Sequence, residues 1–155
     1  MEFKNFLVKA KKSTYATSGE SGEKRNEDGS KELSFQEHNY NYKDRYFGHN
    51  PFIGEEIVWK EGKLFWGMNY YGEVIEEKIN PSLVYEFLKK ALKQVDIEAP
   101  FRGPKEFKEN DFEYFNEYEG NLESFNGIEV IKFKGEKVYY LHYHGGLAKR
   151  RTTLK

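Results

Sequence analysis

Two histidines, His142 and His144, stand two residues apart near the end of the sequence. Side chains two residues apart on a β-strand lie on the same face of a sheet, so both imidazoles can reach one ligand. A metal ion would need a third ligand, which Glu56, Glu129 or Asp44 would have to supply. Since no spacing fixes that ligand, we predict no metal and no cofactor, and we interpret the histidines as polar groups of an aromatic surface.

Glu56 and Glu129 occupy the same position in two similar segments of the pattern Phe-x-Gly-x-Glu. Two carboxylates that face each other can work as an acid/base pair, which would make the protein a hydrolase or an isomerase. Two other interpretations stay open. The glutamates pair with Arg45 and Arg102 in the interior, or they are solvated charges on the outer side of strands.

A tyrosine-rich segment covers residues 40–48. Alternation along a strand puts Tyr40, Tyr42, Asp44 and Tyr46 on one face. Hydroxyls beside Asp44 and a neighbouring arginine would form a hydrogen-bonding wall for a polar ligand, or a ladder of tyrosines that only supports the sheet.

Alternation also divides two later segments into an apolar face and an aromatic, polar face. The apolar set is expected to face the core: Leu64, Trp66, Met68, Tyr70, Tyr139, Leu141 and Tyr143. The opposite face carries Asn69 and Tyr71 against His142 and His144. Apolar walls with a few orienting polar groups are typical of small-molecule sites. Aromatic residues are also enriched at the centres of protein interfaces.

We therefore expect a non-enzymatic module that binds or senses a small molecule at the aromatic face or in a cleft between the two halves. The alternatives are a structural protein that forms a homodimer through the same face, and an enzyme with a carboxylate or His–metal site. No catalytic residue is assigned. The candidate ligand-binding residues are Tyr42, Arg45, Asn69, Tyr71, Arg102, His142, His144, Glu56 and Glu129.

The periodicity of apolar residues predicts the elements that position these groups. A helix is expected over about 3–15, followed by a polar loop at 17–31 that is long enough to act as a lid. A second helix begins at Asn80-Pro81, with Asn80 as its N-cap, and ends before Pro100. Strands are expected at about 32–47, 54–60, 63–73, 111–119, 127–134 and 137–144.

The two halves resemble each other in their helices and hairpins, which indicates an internal duplication. The predicted fold is α+β, with two αβββ repeats at about 3–75 and 81–146. These would form one antiparallel sheet of about six strands, with two helices packed on one face. Residues 1–148 would form a single domain, and 149–155 a basic flexible tail.

Composition excludes several classes of function. The 155 residues carry 25 Lys and Arg against 26 Asp and Glu, so no basic surface for nucleic acid is expected. The absence of cysteine excludes disulfides and Cys-based zinc sites. We find neither a membrane-spanning run nor a signal peptide, and we expect a cytoplasmic protein with no membrane partner.

Several motifs resemble an uncharacterised family of bacterial domains of unknown function, found alone or behind an XRE-type helix-turn-helix. The resemblance covers about 5–148 and implies a bacterial cytoplasmic protein with an effector-sensing role, but it transfers no catalytic residue. We find no helix-turn-helix pattern here, so DNA reading of that kind is not expected. The motifs are Phe6-Leu7-x-x-Ala10-x-x-x-Thr14-Tyr15-Ala16, Asp44-Arg45-Tyr46-Phe47-Gly48, Asn50-Pro51-Phe52-x-Gly54-x-Glu56, Gly62-x-x-x-Trp66-Gly67-Met68-Asn69-Tyr70-Tyr71-Gly72 and Tyr139-x-Leu141-x-Tyr143-His144-Gly145-Gly146.

Overall fold

A computed structural model of the chain describes residues 2–15 and 22–149. Most of the predicted basic tail and the first part of the predicted polar loop lie outside the described residues. The helices are α1 (Phe3–Tyr15) and α2 (Pro81–Leu92). The strands are β1 (Lys24–Arg25), β2 (Lys31–Glu37), β3 (Tyr40–Gly48), β4 (Phe52–Lys60), β5 (Lys63–Val74), β6 (Glu106–Glu109), β7 (Phe112–Asn121), β8 (Ser124–Phe133) and β9 (Glu136–Leu147).

The strands form one antiparallel sheet in the order β1-β2-β3-β4-β5-β9-β8-β7-β6. Chain neighbours pair as hairpins, and the two runs meet where β5 pairs with β9 in the middle of the sheet. At that junction Asn69 lies opposite His144, and Tyr71 lies opposite His142. Alternation along the two strands predicts this arrangement of the four residues.

The predicted sheet of about six strands in αβββ repeats is wrong, because the described part of the chain contains nine strands. Four strands, β6 to β9, follow α2, so αβββ is not the repeating unit. The segment predicted as one strand at 32–47 is a hairpin that turns at His38 and Asn39. This turn contains no glycine to mark it in the sequence. The positive φ that glycine usually supplies in a turn is adopted here by His38, at 53°. The short strand β1 lies in the predicted polar loop, and β6 lies in a segment where no strand was expected.

Both helices pack on the same face of the sheet. Phe6 of α1 stacks on Tyr40 of β3, with ring centres 4.8 Å apart. Phe87 of α2 stacks on Phe112 of β7 at 4.9 Å. Asn80 caps α2 as predicted, since its side chain accepts a hydrogen bond from the Ser82 backbone amide at 3.0 Å.

The core lies between the helices and this face of the sheet. Its strand residues include Trp66, Met68, Tyr70, Tyr139, Leu141 and Tyr143, all buried, as the alternation predicted. Leu64 was expected in the same set but is only half-buried. The other face carries His142 and His144 and is exposed, so we call it the open face. Val138 lies an even number of residues before His142 on β9 but is buried, at 3% exposure. Neither described helix is long and apolar enough to span a bilayer.

Candidate functional site

In the described part of the chain, five charged side chains are buried on the helix-covered face, and we call them the buried charge cluster. Its members are Lys11, Asp44, Glu56, Arg102 and Glu129, each 3% exposed or less. A charged group that leaves water is strongly destabilising unless partners compensate for the lost hydration. The partners of each carboxylate therefore show which members are structural and which are available to a ligand.

Glu129 is fully engaged by protein groups. Arg102 donates to both of its carboxylate oxygens, from Nε at 3.1 Å and from Nη2 at 2.7 Å. The hydroxyls of Tyr114 and Tyr139 donate to the same carboxylate at 2.6 and 2.7 Å. Burial, and then the negative charge of Glu129, raise the pKa of both tyrosines well above the usual range. This arrangement joins β7, β8 and β9 to the loop after α2, and its role is structural.

Glu56 is engaged in a similar way from the other half of the chain. Lys11 of α1 donates to its Oε1 at 2.7 Å, and the Tyr42 hydroxyl donates to the same oxygen at 2.6 Å. Lys11 also donates to the Phe101 carbonyl at 2.6 Å. Burial lowers the pKa of Lys11, and the charge of Glu56 opposes that shift. The ion pair attaches α1 to the sheet.

Asp44 is the member with the fewest partners. Its Oδ1 accepts a hydrogen bond from the Tyr70 hydroxyl at 2.5 Å, and Oδ2 accepts none from the residues that the structure describes. Burial, and then repulsion from Glu56, raise the pKa of Asp44 to about 7. The Tyr70 hydrogen bond and the cations Arg102 and Lys11 oppose that rise. Near neutral pH this carboxyl therefore exists both with and without its proton.

Asp44 lies in the wall of a cavity of about 550 Å³ between α2 and strands β2 to β5. The buried residues Asp44, Tyr70 and Arg102 form its inner part, whereas Glu86 and Lys89 stand at the solvent side on α2. The full lining is Glu23, Lys31, Leu33, Asp44, Tyr46, Gly48, His49, Phe52, Tyr70, Ser82, Tyr85, Glu86, Leu88, Lys89, Leu92 and Arg102.

Aromatic rings form much of the cavity wall. Phe52 lies between Tyr70 and Tyr85, with ring centres 6.0 and 5.8 Å away. Tyr85 is fixed by its hydroxyl, which donates to the His49 carbonyl at 2.7 Å. Burial, and then Glu73, raise the pKa of Tyr85 to about 12, so it stays a neutral donor.

Gly54 makes room for the tyrosine that holds Asp44. A Cβ on Gly54 would collide with the hydroxyl end of Tyr70. Gly127 stands in the same relation to Tyr143, whose hydroxyl donates to Asn116 at 2.8 Å. These close approaches explain why glycine follows the phenylalanine in both Phe-x-Gly-x-Glu segments.

The open face brings together five of the nine candidate residues. Arg45, Asn69, Tyr71, His142 and His144 line a groove of about 640 Å³ together with exposed Ile53 and Phe47. Arg45 is held by an ion pair with Asp28 and donates to Ser30 Oγ at 3.2 Å. Among residues 2–15 and 22–149, no group of three or more His, Asp or Glu is placed to hold a metal ion.

The other four candidates lie on the helix-covered face, away from the histidines. Tyr42 and Arg45 point to opposite faces because they are an odd number of residues apart on β3. Tyr42, Glu56 and Glu129 belong to the buried hydrogen-bond networks, and Arg102 also lines the cavity. Glu56 and Glu129 have separate partners and do not form a pair with each other.

Sequence reasoning missed Lys11 and Tyr85, and did not include Asp44 or Tyr70 among the candidate residues. A signal was present for Lys11, since it follows Leu7 by four residues and so shares the buried face of α1. Asp44 alternates with Tyr40 and Tyr42, which predicts the same face for its side chain. The cavity itself has no sequence signal, because it depends on how α2 lies across the sheet.

The fold and site define a protein in which two helices cover one face of a long antiparallel sheet, with an open, charged and aromatic cavity between α2 and the sheet. Residues 44–148 match DUF5680, a domain of unknown function, and the chain belongs to that family. The matched segment includes the three buried carboxylates and Arg102, but begins after α1 and Lys11. No curated protein and no solved structure matches the chain.

Proposed function

We propose that this domain binds a small organic molecule in the cavity between α2 and the sheet. The observation that carries the proposal is Asp44, a buried carboxyl in the cavity wall with one oxygen that accepts no hydrogen bond from the described residues. A carboxyl group that has left bulk water is stabilised by any further donor or cation that reaches it. A ligand group that enters the cavity could add such a partner to the single hydrogen bond from Tyr70.

The size and lining of the cavity support this proposal. Small-molecule pockets commonly measure about 300–1,000 Å³ and combine apolar walls with a few placed polar groups. Here Leu33, Leu88 and Leu92 add apolar surface to the aromatic rings. Binding of an effector inside a bacterial cell, as the family resemblance implies, is part of the proposal.

Native mass spectrometry tests the proposal directly. The protein is incubated with the small-molecule fraction of an extract from the cells that make it, and then measured under gentle and denaturing conditions. We expect an extra mass that leaves on denaturation.

In a Leu88→Trp variant the larger indole side chain should fill the cavity, and the extra mass of the bound molecule should no longer be observed. Leu83→Trp is the matched control, because Leu83 lies on the exposed side of the same helix and is 51% exposed. Circular dichroism would show whether both variants fold. An identical adduct on all three proteins, or none on the wild type, would contradict binding in this cavity.

A second function is favoured by the apolar residues of the open face. Ile53 is 54% exposed, Ile128 45% and Tyr71 41%, and they lie on β4, β8 and β5, with β9 between β5 and β8. We propose that a homodimer through this face is the alternative role. Ile53→Lys should then convert a dimer to a monomer in analytical ultracentrifugation, and a monomeric wild type would contradict it. An acid/base pair of Glu56 and Glu129 is not favoured, since each is occupied by a cation and tyrosines.

A further inference from the structure

The positive and negative charges of the buried charge cluster do not sum to zero. It holds two cations, Lys11 and Arg102, and three carboxylates, Asp44, Glu56 and Glu129. With every group ionised the cluster has a net charge of −1. An excess charge in a dry interior is unfavourable and is normally neutralised by a proton, a counter-ion or a ligand.

Hydrogen bonding places the excess negative charge on one residue. Arg102 neutralises Glu129 and Lys11 neutralises Glu56, both through ion pairs of 2.7 Å. Asp44 receives only the neutral Tyr70 hydroxyl from the described residues, and it faces the cavity. The position that still lacks a positive charge therefore coincides with the inner wall of the cavity.

The cavity surface also favours a cation over an anion. Aromatic faces attract positive charge, and this wall already does so, since Lys31 Nζ lies 5.6 Å from the centre of the Tyr46 ring. The Arg102 guanidinium carbon lies 5.5 Å from the centre of the Tyr70 ring. Arg102 is a cation near the site, but its charge is compensated by Glu129.

The groups around the cavity mouth leave this balance unchanged. Lys31 of β2 and Lys89 of α2 line the mouth together with two carboxylates, Glu23 and Glu86. Burial, and then the hydrogen bond that the Tyr46 hydroxyl donates to Glu23, raise the pKa of Tyr46 above the usual range. Among the described residues the mouth thus holds two cations and two carboxylates, and the charge that lacks a cationic partner is that of Asp44.

Resting on the proposed function, we propose that the ligand is a small organic amine, bound as its ammonium ion with the positive charge against Asp44. Its apolar body would lie among Phe52, Tyr85 and Leu88. No covalent bond changes. The ammonium forms an ion pair with Asp44, and the proton that Asp44 carries in the empty protein passes to the solvent.

Isothermal titration calorimetry with 2-phenylethylamine tests this inference, with 2-phenylethanol and phenylacetate as the neutral and anionic counterparts of similar shape. The amine should bind more tightly than either. Only ionised Asp44 can pair with the ammonium ion, and with a pKa of about 7 its ionised fraction is about tenfold larger at pH 8 than at pH 6. The affinity of the protein for the amine should therefore also be about tenfold higher at pH 8. In buffers of different ionisation enthalpy, release of roughly half a proton per amine is expected at pH 7.

The Asp44→Asn variant should no longer bind the amine more tightly than the alcohol or the acid. Its affinity for the amine should also be the same at pH 6 and pH 8. Asn keeps the shape of a neutral Asp, so the variant is expected to fold, which circular dichroism checks. Glu136→Gln is the matched control, because it removes one exposed carboxylate outside the cavity lining and should change the affinity less than about threefold.

The outcomes separate this inference from the proposed function. Tighter binding of phenylethanol or phenylacetate, lost in Leu88→Trp, would overturn the amine inference and keep the cavity as a binding site. Equal amine binding by wild type and Asp44→Asn would overturn the pairing with Asp44. Failure of all three probes at millimolar concentration would overturn the inference for aryl-alkyl amines, and the native mass spectra would then decide on the cavity.

Discussion

Asp44 and Tyr70 share a hydrogen bond of 2.5 Å at the inner wall of the cavity, with the tyrosine hydroxyl as the donor. Asp44 belongs to β3 and Tyr70 to β5, so the bond crosses β4 at the point where Gly54 leaves space for the ring. The contact satisfies one oxygen of the carboxylate without supplying positive charge. The hydrogen bond from Tyr70 therefore fixes the position of Asp44 but does not compensate the negative charge of its carboxylate.

The pH dependence of stability should reflect this buried carboxyl. Its pKa is about 7 in the folded protein against an ordinary value of 3.8, so between these values the folded state binds the proton more tightly than the unfolded state. The free energy of unfolding therefore falls as the pH rises from about 4 to about 7, and this loss is complete above that range.

Replacement of Asp44 by Asn should abolish this fall in the free energy of unfolding, because Asn carries no charge at any of these pH values. In urea titrations, Asp44→Asn should be more stable than the wild type at pH 8 by the order of 2–4 kcal/mol, and nearly equal to it at pH 4. Parallel stability profiles for the two proteins between these pH values would contradict an unfavourable charge at Asp44.

The ion pair of Glu129 with Arg102 should be essential to folding. Glu129→Gln leaves a buried guanidinium without its counter-charge, and we expect a loss of about 3–5 kcal/mol in urea titrations. Glu109→Gln is the matched control, since Glu109 pairs with Lys90 at 2.6 Å on the surface. It should cost less than about 1 kcal/mol, because solvent screens exposed pairs. Similar losses in the two variants would show that the buried pair has no special role.

Lys11 and Glu56 should show strong energetic coupling in a double-mutant cycle. Lys11→Met leaves Glu56 buried without a cation, and Glu56→Gln leaves Lys11 without an anion, so each single variant should be clearly destabilised. The double variant has neither unpaired charge and should lose less than the sum, with a coupling energy of about 1–3 kcal/mol. Additive losses would mean that α1 is held to the sheet by packing alone.

The close approach of Gly127 to Tyr143 gives a test of packing in the core. Gly127→Ala should displace the ring and its hydrogen bond to Asn116, at a cost of about 1–3 kcal/mol in urea titrations. Gly22→Ala is the control, because a Cβ there would meet no atom of the described residues within 4 Å. A tolerated Gly127→Ala with an unchanged near-ultraviolet spectrum would contradict this account.

Local sequence patterns predicted the helices and the buried faces of the strands better than the number of strands in the sheet. The bounds of α1, the cap at Asn80 and the burial of Trp66 and Tyr139 follow from spacing and turn chemistry. The turn at His38 was missed because it contains no glycine or proline. The number of strands was underestimated for that reason, and because β1 and β6 are too short to show a period.

The candidate site was predicted less well, for a physical reason. Alternation correctly grouped Asn69 and Tyr71 with the two histidines, because pairing on one face is a local property of a sheet. The cavity and the charge at Asp44 arise from contacts between α1, α2 and the sheet that are distant in sequence. Lys11 and Glu56, for example, are 45 residues apart. No local spacing shows which charges a helix will bury against a strand.

The two histidines provide a last prediction that distinguishes the faces of the sheet. His142 and His144 lie on the open face, whereas Asp44 and Tyr70 meet in the cavity under the helices. The double variant His142→Ala, His144→Ala should therefore bind 2-phenylethylamine within about twofold of the wild-type affinity, since no charge near Asp44 changes. Tyr70→Phe, on the cavity side, should change both the affinity and its pH dependence, because it removes the hydrogen bond to Asp44. Calorimetry on the three proteins makes the comparison. Loss of binding in the histidine variant alone would move the binding site to the open face.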